Sequence, residues 1–420
     1  MKPTLLYITH GFPVSDEVFT RDEFPFLKKK EWDIIILPRL GDASRLPERA
    51  WCGAGVDYSL LGHKAQKSVQ LLRPTAWKMI AREYADHAAH NQALVPQTLL
   101  RAVGIALQAE KTIYKLLMSR KASHTPLVAY SFWFSEVVIG IARLRKHFPQ
   151  LRVVTRINGA DIFVEQLPRN YLPLRYQRML APDVVTAVSR AGMEQLRQEG
   201  YPEKNISLYP LGVPAPLGRS LPSAPGHLVL ASCAYAAPLK RLRVFIDSLY
   251  TFSLTQPNIM IHWHYIGDGE CYDSLKRQAE QLLAPRPNVT YTFHGRLDVD
   301  DVRRFFAQER IDAVVSVSSS EGGVPVSLQE AAACGIPLLA TDAGGTRDIV
   351  TPETGILLPL DYDEKEFCAA MTTIMDWKDT KDRQGIAEYC SKHFSLEVNY
   401  SAFVDKILEP QMNISRQLLE

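Results

Sequence analysis

A chain of 420 residues is too long for one ordinary core and predicts two domains of about 200 residues each. Its composition is that of a globular protein, and the most apolar stretch, residues 127–142, falls short of the roughly 20 residues a membrane-spanning helix needs and carries Glu136. The six cysteines (Cys52, Cys233, Cys271, Cys334, Cys368, Cys390) show no CxxC spacing, which argues against a disulfide frame or a zinc site.

The opening MKPTLLYITHGF enters a strand-like run without the cationic region, apolar segment and cleavage site of a secretion signal, so the expected location is the cytosol. A net charge of +2 hides an asymmetry: residues 1–210 hold 29 Lys and Arg against 19 Asp and Glu, whereas 211–420 hold 19 against 27. A basic half suits an anionic membrane or an anionic acceptor, or is simply a solvated surface; composition leaves both open.

Along the chain, apolar runs alternate with helical patterns. TLLYIT, WDIIILP, PLVAYS, RVVTRI and DVVTAV come first, then HLVLAS, IMIHWHYIG, VTYTFHG, IDAVVSV and IPLLAT. Continuous Val, Ile and Leu runs between helices predict parallel strands covered on both faces, hence two doubly wound Rossmann-like α/β domains. Residues 44–122 interrupt the first sheet with helical segments, and 213–227, within a stretch of five prolines, reads as the linker. The expected division is 1–212, 213–227 and 228–395, with a helix over 396–420 that packs back on the first domain. Two such domains would face each other across a cleft lined by the carboxyl ends of their strands, where open α/β sheets bind ligands.

The run SSSEGGVPVSLQEAAACGIP, residues 318–337, follows the strand IDAVVSV. Ser327 and Glu330 have capping-box spacing, which gives Glu330 a role without any ligand. Gly322, Gly323 and Val324 form a loop whose backbone can approach a ligand, and a helix start suits phosphate. A carboxylate there can accept both hydroxyls of a ribose. The next loop, TDAGGTRDIV, repeats the theme with Gly344 and Gly345 and their backbone amides.

These pieces, with TAVSRAGMEQL, LYPLGV, ASCAYAAPLKR, YIGDGECYDSLKRQAE and FHGRL, resemble the retaining glycosyltransferases of family 4, which have the GT-B fold. THGFPVSDEVFTRDE and RINGADIF resemble the branch that builds bacterial exopolysaccharide, capsule and lipopolysaccharide. The resemblance covers most of the chain except 44–122. It implies a cytosolic-face enzyme, peripheral to the membrane, that moves a sugar from a nucleotide diphosphate, UDP or GDP foremost, to a lipid-linked or polysaccharide acceptor with retention and without a metal or other cofactor. No nucleic-acid partner is implied. Glu330 would bind the ribose, Glu321 the donor sugar, and Lys240 the diphosphate, helped by Arg241, Arg296, Gly11 and His10. Asn158 and Asp161 match the motif His-Gly-x-Asp with Asn in place of His. The sequence departs from the pattern twice more: eight residues instead of seven separate Glu321 from Glu330, putting Gly322 at the first glutamate's place, and Tyr235 holds the position of a diphosphate-binding Arg. A noncatalytic nucleotide-sugar-binding scaffold and a nucleotide-sugar epimerase remain as alternatives. His262 and His264 share a strand face without an apparent third metal ligand.

Overall fold

The computed structural model describes residues 2–12, 18–41, 55–56, 64–90, 94–378 and 380–419; Cys52 lies outside them. The chain divides into two compact units, Met1–Tyr209 together with Tyr400–Glu420, and Pro210–Asn399.

Among its described residues the first unit holds seven parallel strands, β1 (Thr4–Phe12), β2 (Asp33–Gly41), β3 (Gly55–Val56), β4 (Leu127–Ser131), β5 (Arg152–Ile157), β6 (Val184–Ala187) and β7 (Ile206–Leu208), in the order β3-β2-β1-β4-β5-β6-β7. β1 lies between β2 and β4, with Leu6 opposite both Ile35 and Ala129. Every residue of β4 is buried, which is why the run reads as continuously apolar rather than alternating. The strand order reverses between β1 and β4, so a crevice opens at their carboxyl ends.

Between β3 and β4 come α1 (Lys64–Val69), α2 (Pro74–Ala89) and α3 (Pro96–Ser119). In α3 the buried residues Leu99, Ala102, Val103, Ala106, Ile113 and Leu117 recur at helical spacing and face the core. Gly104 brings α1 and α3 into contact: a Cβ there would lie 2.7 Å from the Lys67 carbonyl oxygen.

The carboxyl-terminal residues return to this unit. The Leu127 N–H donates to Ser415 Oγ at 2.6 Å, and Arg152 donates to Gln411 at 3.0 Å. Arg156, fully buried on β5, sits 4.3 Å from the Phe403 ring and 3.1 Å from Glu23. Glu23 in turn accepts the hydroxyls of Tyr7 and Tyr130, so its buried carboxylate, very costly if left alone, is hydrogen-bonded as well as paired with Arg156.

The second unit has six parallel strands, β8 (His227–Cys233), β9 (Met260–Ile266), β10 (Val289–Gly295), β11 (Ala313–Ser316), β12 (Leu338–Thr341) and β13 (Gly355–Leu358), in the order β10-β9-β8-β11-β12-β13. Its order reverses between β8 and β11. The proline-rich stretch does not stand free as a linker. Residues from Pro210 onward belong to the second unit: Ser220 N–H donates to the Cys334 carbonyl at 3.1 Å, and Ser223 Oγ donates to Asp312 at 2.6 Å. Prolines have no N–H to satisfy, and the serines between them tie the extended chain down. Among the described residues no helix is long and apolar enough to cross a membrane.

Candidate functional site

The reversal point of the second sheet gathers three loops. After β8 the chain turns through Pro238–Lys240 into the helix Leu242–Thr255; after β11 it runs through 317–325 into the helix Val326–Ala333; after β12 it enters a short turn, Gly344–Asp348. Four contacts bind them together. Ser319 N–H donates to Leu239 O at 2.8 Å, Lys240 Nζ pairs with Glu321 Oε1, Gly345 N–H donates to Glu321 O at 3.0 Å, and Thr341 Oγ1 donates to Ser318 O at 2.6 Å. Gly344 is required here: its φ is +51°, and a Cβ would lie 1.8 Å from Glu321 O. The Gly345 amide is therefore engaged by Glu321 rather than bare, a correction to the expected phosphate donor.

The extra loop residue ahead of Glu330 leaves Glu321 in the cradle, because its carboxylate meets Lys240. Gly322 and Gly323 are half-buried, and Val324 is buried with its carbonyl accepting from Gln329 at 3.0 Å. The helix starts two residues earlier than the capping-box reading requires. Pro325 occupies the N-cap position, and both Ser327 and Glu330 lie inside the helix. Glu330 is 8% exposed and accepts from Arg303 Nε at 3.0 Å. Arg303, on the helix Val299–Gln308, also lies 3.6 Å from Asp300. Its pairing with a glutamate 27 residues on has no local signature, which is why sequence reasoning missed it.

Glu330 and Arg303 line a pocket of about 320 Å³ with Val213, Pro214, Asp300 and Cys334. Burial, then the charge of Glu330, pushes the Cys233 and Cys334 thiols up to about 12, so neither is a thiolate near neutrality.

Arg241 departs from expectation. It takes a left-handed conformation with φ +51°, donates to Leu360 O at 2.5 Å and lies 5.7 Å from the Tyr362 ring, so it is committed to the loop after β13 and not to the Lys240–Glu321 pair. Tyr235 is exposed in the β8 loop. Arg296 is exposed just beyond β10, two strands away from β8.

In the first unit, His10 lies within β1 rather than after it, followed by buried Gly11. Its ring meets Trp133 edge-on at 6.4 Å, and burial together with Arg39 lowers its pKa. Asn158 and Asp161, both 9% exposed, follow β5. Asp161 accepts the Asn158 N–H at 3.0 Å while Asn158 Nδ2 donates to Phe132 O at 3.3 Å. Burial raises the Asp161 carboxyl to about 6 against the hydrogen bonds it accepts from the Asn158 and Phe134 backbones. The pair thus shapes the turn after β5 from within.

A third imidazole, not foreseen, joins the His262–His264 face: His294 on β10 lies 3.0 Å from His264 Nδ1, and His262 bonds Thr290 at 2.6 Å. Burial lowers all three, His264 to about 4, so the rings stay neutral near pH 7. Among the described residues no group of three or more His, Cys, Asp or Glu has a metal-holding arrangement.

Residues 226–376 match the family described as Glycosyl transferases group 1. A putative colanic acid biosynthesis glycosyltransferase of Escherichia coli K12, WcaL, is 24% identical over 217 residues, 50% of this chain and 52% of its own length. A GDP-mannose-dependent phosphatidylinositol monomannoside mannosyltransferase of Corynebacterium glutamicum is 31% identical over 97 residues, 22% of this chain and 24% of its own. The chain thus spans about half the length, or less, of the curated relatives it matches. Among solved structures, the lipopolysaccharide outer core galactosyltransferase WaaB superposes with a TM-score of 0.69 at 14% identity over 97% of this chain and 99% of that one. Anabaena HepE, solved with UDP and glucose, superposes with a TM-score of 0.66 at 16% identity over 97% and 100%. These likenesses show the GT-B fold.

Proposed function

We propose that the chain is a retaining glycosyltransferase that moves a sugar from a nucleotide diphosphate to a lipid-linked or polysaccharide acceptor in cell-surface polysaccharide synthesis. The observation that carries this reading is the cradle at the β8–β11 reversal, where Lys240, Glu321 and the Gly344 turn are locked together inside the segment that matches the glycosyltransferase family. The UDP bound by HepE supports a nucleotide-sugar donor, UDP- or GDP-linked.

The anomeric carbon–oxygen bond to the diphosphate breaks, generating an oxocarbenium-like centre and a growing negative charge on the leaving phosphate. Lys240 supplies the stabilising positive charge, and Glu321 holds its ammonium in place. The acceptor hydroxyl attacks from the departing side and gives its proton to the leaving phosphate, so the chain needs neither a nucleophile nor a metal. Glu330 accepts hydrogen bonds from the ribose hydroxyls, with Arg303 orienting its carboxylate. Leu72 and Trp77, 81% and 61% exposed beside Arg73 and Lys78, support peripheral contact with an anionic membrane on the cytosolic side.

The test is turnover of UDP- and GDP-sugars with a membrane extract as acceptor, with and without EDTA, reading the product anomer by NMR. Transfer with retention and without a metal supports the proposal. An inverted product overturns the mechanism, and donor binding without any turnover favours the scaffold.

A further inference from the structure

The carboxyl edge of the first sheet carries a cation cluster of its own. His10 and Arg39 come from the adjoining ends of β1 and β2, where Thr9 pairs with Pro38 and Gly11 with Leu40. Arg101, Ile105 and Gln108, spaced along one face of α3, and Lys67 of α1 complete a pocket of about 80 Å³ with them. The tight contact at Gly104 is what sets Lys67 against α3. The charges do not balance. Glu136 is taken up by Arg39 at 2.8 Å and Arg178 at 3.3 Å, and among the described residues neither Lys67 nor Arg101 has an ion-pair partner. Burial, then Arg101 and Arg39, lowers the Lys67 pKa against the opposing pull of Glu136, as expected where three cations crowd around a single carboxylate. Gln108 accepts from Gln70 at 2.9 Å, which leaves its amide N–H2 as a further donor.

Like charges gathered in a crevice at the carboxyl edge of a parallel sheet form a receptor for an oxyanion. Two of the lining elements, α1 and α3, belong to the segment 44–122, which the family resemblance does not cover and to which it assigns no role. We propose that Arg39, Lys67 and Arg101 bind an anionic group, a phosphate or a carboxylate, carried by the acceptor. The assignment to the acceptor rests on the transferase reading; the anion site itself does not.

The experiment titrates the full chain calorimetrically with inorganic phosphate, glucuronate and, as a neutral control, glucose. Wild type is expected to bind at least one anion and not glucose. The Lys67→Gln/Arg101→Gln double variant should weaken that anion at least about tenfold, since charge-assisted hydrogen bonds are lost. Lys67→Arg with Arg101→Lys keeps the charges and should retain binding, which separates charge from packing. Lys240→Ala should leave the anion response in place while losing nucleotide diphosphate. No anion binding by wild type, equal binding by the double variant, or loss of the anion response on Lys240→Ala overturns the pocket. Measuring UDP- and GDP-sugar binding on the same preparations separates the two readings: donor binding without an anion response sinks only the pocket, and the converse sinks only the transferase.

Discussion

Glu330→Ala removes a carboxylate that the structure pairs with Arg303 and that the proposed function pairs with the donor ribose. The Arg303 contact is 3.0 Å with side chains 8% and 15% exposed, a largely desolvated charge-assisted bond. Breaking it should cost about 1.5–3 kcal/mol of folding stability, with the Asp300 carboxylate at 3.6 Å limiting the loss. Losing two ribose hydrogen bonds to a charged group should cost about 2–4 kcal/mol of donor binding, on the order of 30-fold or more in affinity. Chemical denaturation and calorimetric donor titration read the two effects separately. Arg303→Ala should reproduce most of the stability loss, and the double variant should be less than additive by about 1 kcal/mol because the two residues share one bond. If Glu330→Ala lowers stability but binds donor as wild type does, Glu330 is only the anchor of Arg303, and its ribose role fails.

Gly344→Ala should destabilise by about 2 kcal/mol or more, since a Cβ would collide with Glu321 O in a left-handed backbone; an unchanged melting temperature would show that the loop relaxes freely. Ser327→Ala should stay within about 0.5 kcal/mol of wild type, because Ser327 is inside the helix and does not cap it; a loss of about 1 kcal/mol in urea unfolding would restore the capping box. For Asp161, with a folded pKa near 6 above an unfolded value of 3.8, the native state binds more protons between those values. The stability advantage of wild type over Asp161→Asn should therefore decline as pH rises from about 4 to about 6 and level off above; an advantage that grows over that window contradicts the assignment.

Ten of the thirteen strands among the described residues were legible because buried parallel strands write continuous Val, Ile and Leu runs. β3, β7 and β13 were not: Gly55–Val56, Ile206–Leu208 and Gly355–Leu358 are two to four residues long, too short to stand out as a run. Lys240, Glu321 and Gly344 could be singled out from motif spacing, yet only the fold shows that they touch. Spacing misled at Ser327 and Glu330, where Pro325 takes the cap two residues early, and at Arg241, whose left-handed backbone turns it toward Leu360. Arg303 and the Arg39–Lys67–Arg101 pocket draw on residues far apart in sequence, whose proximity no local pattern encodes.

The most direct test of the central claim is calorimetric titration of UDP- and GDP-sugars into wild type and Lys240→Ala. The account predicts selective binding of one donor class by wild type and its loss in a variant that remains folded. Equal binding by the two proteins would remove Lys240 from the site and contradict the mechanism.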